Sequence, residues 1–167
     1  MTSSRFYTPD ELDTWIPLAA LLELLPRELD AQLLRDADLT HFDYFALSML
    51  ANASGHRLQM KELASMTNAT MPRLSHVVSR LERRGLVARE RNSADGRGVD
   101  AVITPEGRRA LLQATPGHVA QVRSLVLDAL DAGQRAQLRE ITAAVLARLD
   151  PDGRMAASRP RPRVADA

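Results

Sequence analysis

Residues 60–107 read MKELASMTNATMPRLSHVVSRLERRGLVARERNSADGRGVDAVITPEG, and the punctuation of this stretch decides the fold. Lys61 to Met66 predicts a short helix, and Thr67-Asn68-Ala69-Thr70 a turn whose polar side chains can cap the next helix. That second helix is expected over 71–84. Proline lacks a backbone N–H and is tolerated only in a first turn, so Pro72 fixes the start. Leu74, Val77, Val78 and Leu81 recur at helical spacing as a buried stripe, and Gly85 stops the helix. Leu86–Arg91 and Val99–Thr104 then read as two strands around the glycine-containing loop Asn92–Gly98. A helix pair followed by a basic β-ribbon matches a winged helix-turn-helix, an architecture that mostly binds duplex DNA.

Upstream, Thr8-Pro9-Asp10-Glu11 combines a capping hydroxyl, a first-turn proline and two carboxylates at the positive end of a helix. Apolar residues from Leu12 and Trp15 to Leu33 continue at helical spacing, with Pro17 and Pro26 expected to bend or split that helix. Asp38-Leu39-Thr40 opens another helix, carrying Phe42, Phe45, Ala46, Met49 and Leu50 and closing near Ser54-Gly55; Leu58-Gln59-Met60 is a short extended or looped link. Downstream, Thr104-Pro105-Glu106 repeats the cap-proline-acid signal and starts a fifth helix, kinked at Pro116-Gly117; Gly133 separates it from a last helix ending near Leu149. From Asp150 the chain is rich in proline, arginine and alanine without periodicity, and reads as a disordered tail.

Composition narrows the class. The 167 residues suit one sizeable core, and with apolar residues at 45% and aromatics at 4% that core must rest on leucine, alanine and valine, which favours helices. The chain has no cysteine, which removes disulfides, thiolate metal sites and thiol redox sensing; this fits a reducing cytoplasm. No signal-like segment opens the sequence and no uncharged apolar run approaches membrane-spanning length, so a membrane location is not expected. Net charge is only +1, but its distribution is uneven. Residues 1–50 carry three basic against nine acidic side chains, net −6, whereas residues 69–99 carry seven arginines against three acids, net +4. A polyanion is repelled by the first region and drawn to the second.

A major groove about 12 Å wide admits one helix, read through its outer face near the N-terminal end. On helix 71–84 the positions opposite the apolar stripe are Arg73, Ser75, His76, Ser79 and Arg80. Arg73 can pair with guanine through two hydrogen bonds, and Ser75 and His76 can bond base edges or phosphate. Arg80, Arg83 and Arg84 lie farther along and suit phosphates. Arg97, at the hairpin tip, can reach a minor groove, while Asp95 beside it shapes the loop by pairing with an arginine.

These residues resemble those of the MarR (multiple antibiotic resistance regulator) family of bacterial transcription factors. The likeness is carried by Lys61-Glu62-Leu63-Ala64, by Ser75 through Val87, by the wing signature Asp95-Gly96-Arg97, and by Ile103-Thr104-Pro105-Glu106-Gly107. It implies a mainly α fold with a small β-wing: a winged helix-turn-helix with N- and C-terminal dimerisation helices. The implied division is a dimerisation helix over 1–35, a DNA-binding lobe over 36–104, further dimerisation helices over 105–149 and the tail over 150–167. It also implies a homodimer reading a pseudo-palindromic operator, acting as a repressor that a small, often aromatic ligand releases from DNA. By position Trp15, His41 and Tyr44 could line the ligand cleft, although such residues on apolar faces are usually core. The family often places arginine where this chain has His76, and a titratable histidine beside DNA makes binding weakly pH-dependent.

Other classes fit less well. The four histidines (His41, His56, His76, His118) are far apart in sequence, with no HExxH motif, phosphate loop or GxSxG elbow; no enzyme, metal site or cofactor is expected. A winged helix turned to protein contact usually loses its basic face, which is kept here. An architectural DNA binder would share the salt dependence of a regulator but not its specificity ratio.

Overall fold

The protein is described by a computed structural model over residues 6–92 and 98–159. The hairpin-tip residues Asp95 and Arg97 lie outside the described residues, as do residues 160–167. Among the described residues, six α-helices and three strands run in the order α1 (Pro9–Ala37), α2 (His41–Asn52), β1 (Arg57–Gln59), α3 (Met60–Met66), α4 (Met71–Arg83), β2 (Val87–Arg91), β3 (Val99–Ile103), α5 (Pro105–Val122) and α6 (Ala132–Leu149).

Local chemistry sets most boundaries. Thr8 caps α1 in a reciprocal box with Glu11, Thr40 caps α2 with Asp43, and Asp131 caps α6 with Gln134. At the end of α4, Gly85 adopts φ +70°; its N–H donates to the Glu82 carbonyl and the Leu86 N–H donates to Leu81, both at 2.9 Å. That left-handed closure turns the chain directly into β2. Thr104 then ties the end of α4 to the start of α5. Its hydroxyl donates to the Gly85 carbonyl (2.7 Å), its N–H donates to Leu86 (3.1 Å), and its oxygen accepts from the Gly107 N–H (3.0 Å).

The sheet runs β1-β3-β2, all antiparallel, with Val87 opposite Ile103 and Arg91 opposite Val99. Between it and the helices lies one leucine-rich core. Leu33 from α1, Leu47 and Leu50 from α2, Leu63 from α3, and Leu74, Val78 and Leu81 from α4 are fully buried in it. At about 25 cal/mol per Å² of apolar surface, burying each leucine contributes roughly 1.5–3 kcal/mol.

Four features refine or correct the expectation. α1 is one continuous 29-residue helix despite Pro17 and Pro26: each proline removes one backbone bond, and the turns on either side keep the rest. α5 likewise runs through Pro116-Gly117, and its irregularity comes later, as a wide turn over Arg123–Leu127 in which Asp128 N–H donates to Arg123 five residues back. The link at residues 57–59 is a strand because β3 supplies its ladder. Finally, the reading of a disordered tail from 150 does not hold over 150–159. There the Asp150 carboxylate accepts from the Arg154 and Met155 amides and the Ser158 hydroxyl, and Arg159 donates to Gly153. These bonds hold its carboxyl below the usual aspartate range.

Candidate nucleic-acid interface

Helix α4 turns Leu74, Val77, Val78 and Leu81 into the core and leaves a polar outer face. Thr70 starts it by accepting from the Arg73 N–H, with Pro72 in the first turn. Arg73, Ser75, His76 and Arg83 are exposed; Ser79 and Arg80 are half-buried. The structure thus puts these predicted α4 residues on or beside one surface, but not in equivalent roles. The Arg73 guanidinium lies over the Phe42 ring of α2, 4.5 Å from its centroid, a cation–π contact that steadies the side chain at the helix entrance. His76 and Arg83 make no ion pair among the described residues.

Two of the arginines assigned to phosphate are also structural. Arg80 donates to the Asp43 carboxylate (2.5 Å) and approaches the Thr40 hydroxyl (3.4 Å). Asp43 is 1% exposed and its other oxygen accepts from the Thr40 N–H, so Arg80 neutralises a buried charge that also caps α2. Breaking such a pair from one side is costly because the remaining charge stays buried. Arg84, just past the helix, bonds the Asp38 carbonyl, with the Asp38 carboxylate 3.3 Å away. Both pairs join regions about 40 residues apart in sequence, which helical spacing cannot reveal.

Sequence reasoning missed Arg89 on β2. Its guanidinium donates to the Ser75 carbonyl and the Ser79 hydroxyl, both at 2.9 Å, and to the Glu82 carboxylate at 3.1 Å; its own N–H donates to Glu82 as well. A cross-bond from the strand to the outer face of α4 is therefore built into the surface. The only available signal was the alternation of β2, which puts Arg89 and Arg91 on one side of the strand.

The residues suggested for a ligand cleft do not all converge. His41 and Tyr44 of α2 meet His118 of α5, with ring centroids 5.6 Å and 4.5 Å away respectively, and Tyr44 shares a 3.2 Å hydrogen bond with Thr115. Gln32 of α1, 2% exposed, borders this seam beside Gly117. Its Oε1 and the Nδ1 of His118 are buried with no hydrogen-bond partner among the described residues. Burial pushes both imidazoles below the ordinary histidine value; Asp30 partly opposes this at His41, and His41 reinforces it at His118. Trp15 stands apart, half-exposed on α1 among Tyr7, Asp10, Glu11, Thr14 and Leu18. Seventeen residues of helix separate it from Gln32, about 25 Å at 1.5 Å per residue. His118 was the member of the seam that the sequence could not single out.

The comparisons with known proteins bear on this arrangement. A family model described as "MarR family" matches residues 37–98. The solved structure of Sco3205 from Streptomyces coelicolor, a MarR family transcriptional regulator in complex with DNA, is 40% identical, covering 90% of this chain and 94% of that one at a TM-score of 0.86. The chain belongs to the MarR family. Another MarR family regulator, AbsC from the same organism, is 32% identical over 87% of this chain and 98% of its own, TM-score 0.83. Among curated proteins, the transcriptional repressor YetL of Bacillus subtilis is 32% identical over 80 residues, and the regulator HosA of Escherichia coli 36% identical over 80. The chain spans about half the length of these curated relatives, 48% of YetL and 57% of HosA. The relatives it matches are transcriptional regulators. Its mostly helical fold with a small three-stranded antiparallel sheet matches the winged-helix structures of the family. No helix among the described residues is long and apolar enough to cross a membrane, and no group of three or more ligating side chains there could hold a metal ion.

Proposed function

We propose that this protein is a sequence-specific, DNA-binding transcriptional regulator that acts in the cytoplasm as a homodimeric repressor. The observation that carries this reading is the outer face of α4, where Arg73, Ser75, His76 and Arg83 stand exposed on a helix anchored by its apolar stripe. The relative Sco3205 was solved on DNA, and YetL is named a repressor. In this reading Arg73, Ser75, His76 and Ser79 face base edges. Arg83, with Arg80 and Arg84 once their carboxylates allow, faces phosphates. Arg97 completes the wing, with Asp95 shaping it. The working division keeps 36–104 as the DNA-binding lobe and 1–35 with 105–149 as dimerisation helices. α1 and α6 support it with exposed Leu21, Leu22, Leu24, Ile141, Val145 and Leu149, too much apolar surface to leave in water. The seam of His41, Tyr44 and His118, lying where α1 and α5 meet α2, is the place a small aromatic ligand would act; Trp15 belongs elsewhere.

Fluorescence anisotropy with the duplex lying just upstream of the protein's own gene, a scrambled duplex as competitor, and two salt concentrations tests this directly. Tight, salt-sensitive binding that survives the competitor is expected. Equal binding to both duplexes would instead point to an architectural DNA binder, and binding to neither would place the operator elsewhere or turn the winged helix toward a protein partner.

A further inference from the structure

The exposed face of α4 carries a single carboxylate, Glu82, in a helix otherwise bearing Arg73, Arg80 and Arg83. A carboxylate there faces the same polyanion that the arginines are meant to attract, and a like charge near phosphate opposes binding. Arg89 meets it from β2. One guanidinium nitrogen reaches Glu82 Oε2 at 3.1 Å; the other bonds the Ser75 carbonyl and the Ser79 hydroxyl. Three acceptors on successive turns of α4 are thus held by one rigid planar group from the first wing strand, whose side chain is 28% exposed.

We infer that Arg89 is a positioning residue for DNA recognition, resting on the regulator reading above. It does two things at once. It cancels Glu82, so that α4 presents only positive charge. It also pins β2 against the turn bearing Ser75 and Ser79, so that the wing and the reading helix approach a duplex at one fixed angle. The second task needs the guanidinium fork: lysine carries the charge on a single nitrogen and cannot reach Ser75, Ser79 and Glu82 in this geometry. By accepting from Arg89, Ser79 also keeps its hydroxyl proton for another acceptor, which suits a purine N7, guanine O6 or thymine O4 rather than an amino group.

Charge and geometry separate in three full-length variants, each first checked by circular dichroism and thermal melting. R89K is expected to retain wild-type affinity for scrambled duplex and the wild-type salt slope. Its preference for the specific duplex should fall by roughly 10-fold or more, the scale of one lost base contact. R89Q should lose both preference and general affinity, because Glu82 is then unpaired. R89Q/E82Q should recover the general affinity but not the preference. A specificity ratio unchanged in R89K overturns the positioning role. A drop of about one unit in salt slope with unchanged preference in R89Q overturns it too, since Arg89 would then be a plain phosphate contact. If R89Q melts early, R89K alone carries the test. A wild-type chain that binds no duplex sinks the regulator reading and this inference with it, whereas the R89K outcome sinks the inference alone.

Discussion

At the residue scale, arginines that look interchangeable in the sequence do different work. Arg73 and Arg83 are both exposed on α4, one at its entrance over Phe42 and one in its last turn. Arg73→Ala is therefore expected to cost about 1–3 kcal/mol in binding and relax preference at one base pair per half-site. Arg83→Ala should weaken all sequences alike and lower the salt slope by about one; measuring both against single-base operator variants checks the assignment, and identical behaviour would refute base reading by Arg73. The histidine seam makes a separate prediction. Burial depresses His41 and His118, so the unfolded chain takes up protons that the folded chain resists. Stability should then be complete above about pH 6.5 and decline as the pH falls below it. Thermal melts between about pH 7.5 and 5.5 should show this decline, and it should shrink in H41Q/H118Q. An equal decline in that variant would place the effect elsewhere. The sequence offered Arg73, Arg83, His41 and Tyr44 but not the partners in the seam: Tyr44 and Thr115 are 71 positions apart, and only the packing of α2 on α5 brings such residues together.

At the element scale, boundaries marked by local chemistry were readable. Pro72, Gly85, Thr104 and the two caps at Thr8 and Thr40 act through bonds within a few residues, so their signals survive without knowledge of the fold. Elements defined by distant partners were not. Residues 57–59 are a strand only because Arg57 to Gln59 pair with Val102 to Asp100. The tightest junction between elements is at the start of α5. A Cβ built on Gly107 would stand 2.1 Å from the Leu86 carbonyl and 2.8 Å from Ile103. Backbone cannot yield as a flexible side chain does, so Gly107→Ala should destabilise the fold by about 3 kcal/mol or more. Urea unfolding followed by circular dichroism would show it as a lower midpoint; a wild-type midpoint would mean the junction relaxes freely.

At the scale of the whole molecule, the described chain is a compact lobe bearing long helices whose outer faces are apolar. Ile141, Val145 and Leu149 recur along α6 and are 61%, 45% and 75% exposed, and nothing within the described chain covers them. I141E/V145E is expected to shift sedimentation from dimer to monomer while leaving α4 folded; a dimer that persists would move the interface off α6. In the sequence these three residues stand four apart, a helical spacing, but periodicity alone does not distinguish a core face from an interface, so it does not show that the lobe leaves them bare. The three bonds of Thr104 have one more consequence. They weld the end of α4 to the root of α5, whose 18 residues extend about 27 Å. The pair behaves as a crank whose handle is the far end of α5. Rotating the pair by about 5° about that weld would sweep the far end of α5 through roughly 2 Å and carry the N-terminal end of α4, 13 residues or about 20 Å from the weld, through slightly less. Two such cranks in a dimer would open or close the separation of their reading helices together, so a small push far from the DNA becomes a mismatch in half-site spacing.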